Sequence, residues 1–328
     1  MAKRSIALSL LLILLGIAPT LIAEGDPELA AKLGLRASRP RKDYPLMKEA
    51  ALLARRSAEA LAERRLALGW PLDPRVDPNK TGFLGPEFTE ITTTIGDPVA
   101  KRTSANPDFA ALIVLWFGDL GLKRGDKVAI AASGSFPALA VAVLAACQVM
   151  GLEPVMTLSL GASEFGATIP GFNAAQMILE LNRRGMVDAS PAAVSLGGEK
   201  DAGVSEFPGH ETKEALNREA VATGLPILDP EAGEEGRMAI FFAGAAPKVF
   251  VNIGGGEVAL ASTSASLRLP KGMILPGAFG YASLGEGRGD RRGLVLRFLD
   301  RGIPVVHLLD IKGLALNACL PVDPSPLP

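Results

Sequence analysis

Residues 128–172 read VAIAASGSFPALAVAVLAACQVMGLEPVMTLSLGASEFGATIPGF. A short apolar run meets Ser133-Gly134-Ser135, an unbroken apolar stretch of helix length follows, and a second apolar run ends in Leu160-Gly161-Ala162-Ser163. Two such runs on either side of a helix join as parallel strands through a crossover. Near-continuous apolar strands are those covered on both faces. The segment therefore reads as a βαβ unit with a small, hydroxyl-rich turn at the carboxyl end of each strand. In open α/β sheets those ends are where ligands sit.

The rest of the chain extends this pattern. After residue 172, helical periodicity over 173–184 precedes a strand at 192–196, then a polar loop at 199–209 and a helix at 211–223. A short strand at 226–228, a strong apolar strand at 248–253, a helix at 291–301 and a last strand at 304–309 complete the alternation. Strands alternating with helices give a mostly parallel open sheet with helices on both faces. Upstream, residues 44–68 place Leu46, Ala50, Leu53, Ala54, Leu61 and Leu68 at helical spacing, with Arg and Glu opposite. This amphipathic helix packs on the following domain or binds a partner. Residues 71–107 are rich in Pro, Gly, Asp and Thr and lack periodicity, as functional loops often do. Asn106-Pro107 then opens a helix running to Gly121.

The first residues have the layout of a targeting segment. Lys3 and Arg4 precede an uncharged apolar span at 6–23. At about 18 residues it is just long enough to cross a bilayer, and Leu21-Ile22-Ala23 puts a bulky residue where a cleavage site wants a small one. A single-pass anchor is expected, with secretion after cleavage as the alternative. Lys3 and Arg4 then stay in the cytoplasm and the remainder lies outside. Three segments follow: a membrane helix at 1–23, a neck, helix and loop at 24–105, and the α/β domain at 106–328.

Net charge is −1, with 34 basic and 35 acidic residues, so no global field favours nucleic acid. Cys147 and Cys319 are read as buried thiols or, outside the cytoplasm, as a disulfide. No His or Cys pair has metal-ligand spacing, and no cofactor is expected.

Three turns carry the candidate site. Ser133, Gly134 and Ser135 combine a tight turn, two hydroxyls and a helix start able to hold an anion; the plain alternative is a capped strand-to-helix turn. A nucleophile elbow needs Gly-x-Ser-x-Gly, and Ala131 replaces the first glycine. A Walker A loop is excluded because no Gly-Lys-Ser/Thr follows. Ser163 and Glu164 sit in the neighbouring turn. Asn252 is the only polar residue late in the 248–253 strand, which runs into Gly254, Gly255 and Gly256, where a backbone can approach a ligand closely; the spacing is not a dinucleotide fingerprint. The two histidines are His210 and His307, and a Ser133–His307–Asp310 set can be drawn. Asp229, Glu231, Glu234 and Glu235 read as a solvated loop.

Taken with the apolar span, the 77–82 loop, Glu90-Ile91-Thr92-Thr93-Thr94-Ile95-Gly96, residues 128–172 and the 252–257 turn, the chain resembles the poly-γ-glutamate system protein family. The resemblance implies a membrane-associated, extracytoplasmic accessory protein. Its partners would be the poly-γ-glutamate synthase and export subunits, or the anionic polymer itself. It transfers no catalytic set. The alternatives are a hydrolase or transferase with a Ser133 or Ser135 nucleophile and a histidine base, and a scaffold acting through the 44–68 helix.

Overall fold

The computed structural model describes residues 41–207, 211–260, 269–278 and 293–328. The span at 6–23 lies outside them; among the described residues no helix is long and apolar enough to cross a membrane. Residues Pro45–Pro328 form one compact unit.

The amphipathic helix is α1 (Tyr44–Ala67), with Ala50, Leu53, Ala54 and Leu61 in the core. Its charged face is not wholly solvated: Arg65 is buried and donates to the carbonyls of Leu84 and Pro71. Residues 71–107, expected to lack regular structure, fold against the sheet unit. Buried Asp77 accepts from Thr81 Oγ1 at 3.0 Å and Gly82 N at 2.9 Å. The three threonines make β1 (Thr92–Thr94). Asp97 then caps α2 (Pro98–Ser104), accepting from Val99 N and Ala100 N, with Pro98 in the first turn.

Next come α3 (Asp108–Asp119), β2 (Lys127–Ser133), α4 (Pro137–Met150), β3 (Glu153–Ser159) and β4 (Ala162–Ser163). They are followed by α5 (Ala174–Arg183), β5 (Ala193–Ser195), α6 (Thr212–Thr223), α7 (Gly233–Phe241) and β6 (Val249–Ile253). The chain ends with α8 (Glu257–Leu260), β7 (Gly272–Ile274), α9 (Gly293–Asp300), β8 (Val305–Leu308) and α10 (Ile311–Asn317). Residues 226–228 make only an isolated bridge, Val194 to Ile227. Strand β7 and helix α10 have no counterpart in the sequence reading.

The main sheet has the order β5-β3-β2-β6-β8-β7, parallel except for β7. The chain runs outward from β2 through β3 to β5, then returns to the other side of β2 with β6. The strand order therefore reverses between β2 and β6, which opens a crevice at their carboxyl ends. Small β1 pairs in parallel with β4 beside that crevice.

Residues in β2 alternate between two apolar clusters. Val128, Ile130 and Ala132 join one cluster with Ile113, Leu144, Ile178 and Leu216 of α3 to α6. Ala129 and Ala131 join the other with Phe241 of α7 and Phe298 of α9. Helices thus cover both faces. On the second face Phe250 stacks on Phe298 with ring centroids 4.3 Å apart. Helix α4 is apolar all round because it is enclosed, with Pro137 through Cys147 buried. Both cysteines are free: Cys147 is buried, its thiol pushed to a higher pKa by that burial, whereas Cys319 is exposed. Glu234 is not a solvated loop residue either. It is buried in α7, accepts from Gly293 N at 3.0 Å and pairs with Arg297 at 3.3 Å.

Candidate functional site

The second face of the sheet turns polar towards the carboxyl ends of the strands. Strand alternation that sends Ala129, Val155, Phe250 and Val305 into the apolar cluster sends Ser133, Thr157, Ser159, Ser195, Asn252 and His307 to the same side. Register keeps them in rows: Ser133 beside Ser159 beside Ser195, and Asn252 beside His307. Above this face and the switch point lies a cavity of about 550 Å³, within the range of about 300–1,000 Å³ usual for small-ligand sites.

The two serine turns meet at its edge. Gly134 N donates to Ser159 O at 2.8 Å, which folds the β2 turn over the end of β3. A Cβ on Gly134 would lie 2.7 Å from Leu160 O and 3.0 Å from Ser159 O, both backbone atoms. Gly134→Ala is accordingly expected to destabilise the fold by about 2–3 kcal/mol, read as a lower denaturant midpoint; an unchanged midpoint would mean the two turns do not pack this way. Ser133 Oγ and Ser135 Oγ are 3.0 Å apart, and Ser135 Oγ accepts from Ser163 N at 3.0 Å. Gly254, at φ +89°, brings the third turn against the Ser133 side chain.

Lys101 of α2 enters this cluster from residues 71–107. Its Nζ donates to Ser163 Oγ at 2.6 Å and to the Ser135 carbonyl, and lies 4.1 Å from the centroid of the Phe136 ring. Only 2% of Lys101 is exposed. Burial pushes its pKa down to about 7, opposed by the Asp97 carboxylate. The C-terminal segment holds α2 in place. Arg102 makes a two-pronged pair with Asp323 at 2.6 and 2.7 Å, and Lys312 of α10 pairs with Asp97 at 2.6 Å.

A second cluster also lines the cavity. Arg237 of α7 donates to Asp201 Oδ2 at 2.6 Å and Ser195 Oγ at 2.8 Å, while Asp201 Oδ1 accepts from Ser195 Oγ at 2.8 Å and Gly197 N at 3.1 Å. Both ions are buried, so the pair is shielded from water and salt.

Ser133, Ser135, Ser163, Asn252, Gly255 and Gly256 all line the cavity. Gly134 and Gly254 shape its turns from behind. Glu164 turns away, accepting from Gly96 N at 3.0 Å. The Ser133–His307–Asp310 set is not assembled. His307 is fully buried in β8, its Nδ1 is 2.9 Å from Asn252 Nδ2, and burial pushes its pKa down to about 3. Asp310 instead caps α10, accepting from Gly313 N at 3.3 Å. His210 lies outside the described residues. Among the described residues no cluster of His, Cys, Asp or Glu can hold a metal ion.

Lys101, Thr157, Asp201 and Arg237 were not legible as site residues in the sequence. One usable signal was present: Asp97-Pro98 is a helix-opening cap inside the supposed loop, and it places Lys101 one turn into α2. A period-two reading of the strand ends would have found Thr157. No family model, curated protein or solved structure matches the chain, so the resemblance to the poly-γ-glutamate system family rests on the residues quoted for it.

Proposed function

We propose that the chain is a serine–lysine hydrolase or acyl transferase acting on amide bonds, working outside the membrane as part of a poly-γ-glutamate system. The observation that carries the catalytic part is the buried Lys101 Nζ 2.6 Å from Ser163 Oγ in the cavity at the switch point. A lysine tuned near neutrality is a competent general base, and a hydroxyl in direct contact with a base is an activated nucleophile. Neutral Lys101 takes the Ser163 proton as Oγ bonds to the amide carbonyl carbon. The carbon–nitrogen bond breaks, and the Lys101 ammonium returns the proton to the leaving nitrogen. Water then attacks the Ser163 ester with Lys101 again as base, the carbon–Oγ bond breaks, and the Lys101 ammonium returns the proton to Oγ; an incoming amine in place of water gives transfer. Ser133 and Ser135 act as positioning residues, since the Ser135 hydroxyl accepts from the Ser163 backbone.

The polymer and the location are supported by the family resemblance and by the charge-then-apolar layout of residues 3–23. The test is incubation of the full chain with γ-linked glutamate oligomers, products being read by mass. Shortened or extended oligomers with the wild type, and none with Ser163→Ala, are expected. Unchanged oligomers with the wild type would overturn the catalytic reading. A second, non-catalytic reading has the same cavity bind polymer or a synthase or export subunit; in its favour, the resemblance implies an accessory protein and no catalytic set. It predicts that a producing cell carrying Ser163→Ala makes as much polymer, of the same length, as the wild type. A pure scaffold would have no need of a convergent polar cavity.

A further inference from the structure

We infer that the cavity receives the amine-bearing end of its substrate, an ammonium on the same residue whose side-chain carbonyl reacts, and not an interior stretch of a polyanion. This deepens the serine–lysine reading and rests on it. Among the described residues the charged side chains lining the cavity are predominantly acidic: Asp97, Glu199, Asp201, Glu206 and Glu257 against Lys101 and Arg237. Arg237 is already committed to Asp201, and Asp97 to Lys312. Glu206 and Glu257 receive only a neutral donor each among the described residues, the Thr94 hydroxyl and Lys200 N respectively. Both retain acceptor capacity and their charge.

An independent observation points to a ligand at the same place. Thr157, 1% exposed, lines the cavity from β3, and its hydroxyl has no hydrogen-bond partner among the described residues. A buried hydroxyl without a partner is costly, and a bound polar group would satisfy it. An interior run of γ-linked glutamate brings one carboxylate per residue against this wall, where like charges repel. The amino terminus of such a chain is its one cationic group. A charge-assisted bond from that ammonium to Glu206 or Glu257 is stronger than its neutral counterpart.

The experiment compares a γ-linked glutamate trimer having a free amino terminus with the same trimer N-acetylated, using the full chain. KM for the acetylated trimer should be at least about tenfold higher. The double variant Glu206→Gln/Glu257→Gln should raise KM for the free trimer towards the acetylated value with kcat little changed. Thr157→Val, which removes a hydroxyl without a partner, should weaken binding of the free trimer while leaving the melting temperature equal or higher. Equal KM for both trimers, with Ser163→Ala inactive, would overturn this inference and leave the serine–lysine reading standing. If the wild type turns over neither trimer, the catalytic reading fails instead. Equilibrium binding then decides the inference: tighter binding of the free trimer supports it, and equal or weaker binding overturns it.

Discussion

Lys101→Met should lower kcat by about a thousandfold, the order expected when a positioned general base is removed, and Ser163→Ala should do the same. The double variant should be no worse than either alone, because the two groups act as one unit. The wild-type rate should rise with pH through an inflection near 7, since only the neutral amine accepts the Ser163 proton and burial has brought Lys101 down to about 7. One unit below that inflection the rate should fall about tenfold. His307 as the base is separable by this profile, because it is pushed to about 3 and would give a flat profile across neutral pH. Stability carries the same signature with its own sign. The Lys101 pKa is lower folded than unfolded, where it is about 10.4. Between about 7 and that value the unfolded chain binds more protons, so stability rises with pH by at most about 1.4 kcal/mol per unit. Below 7 the lysine is charged in both states and the cost of burying it is fully present. Lys101→Met should flatten this slope, measured by denaturant unfolding at pH 7 and pH 9. An unaltered slope would mean that Lys101 is not desolvated.

Asp201→Ala should destabilise the fold by about 3–5 kcal/mol, the cost of stranding one partner of a buried ion pair. Arg237 is 3% exposed and Asp201 4% exposed, so water cannot take over the lost contact. The same carboxylate also accepts from Ser195, Ser159 and Gly197 N; one substitution therefore takes an acceptor away from four donors, Arg237 included. Asp201 sits at φ +61°, where Asn is tolerated better than Ala. Asp201→Asn should consequently lose less, because both variants remove the charge while Asn alone keeps an acceptor and tolerates this φ. Adding Arg237→Met to Asp201→Ala should recover much of the loss, since a charge no longer stays buried alone. A loss below about 1 kcal/mol on Asp201→Ala, the range of an exposed pair, would show that this wall of the cavity is open to solvent.

Strands β2, β3, β6 and β8 were legible because buried parallel strands are short apolar runs bounded by Gly, Pro and polar turns. The rim of small residues followed from them: Ser133, Ser135, Ser163 and Asn252 are where strand ends had to be. Beyond the β2–β3 unit, what could not be read was which strands lie side by side. The reversal between β2 and β6 depends on where the chain goes after β5, and no local pattern encodes it. Lys101 was hidden for a related reason. It is one of 34 basic residues, in a segment without periodicity, and meets Ser163 across 62 positions of sequence. Histidine drew attention by residue type, yet His307 points inward from the same face and spends Nδ1 on Asn252. Strand β7 was missed because Gly-Met-Ile has no alternation to read.

Capture of the acyl intermediate on the full chain decides whether Ser163 is the nucleophile. The protein would be quenched in acid during turnover of an activated γ-glutamyl ester and mapped by peptide mass. A single glutamyl ester on Ser163 is expected, present in the wild type and absent from Lys101→Met. No ester on the protein, an ester on Ser133 or Ser135, or an ester on Ser163 that forms equally well without Lys101 would contradict it.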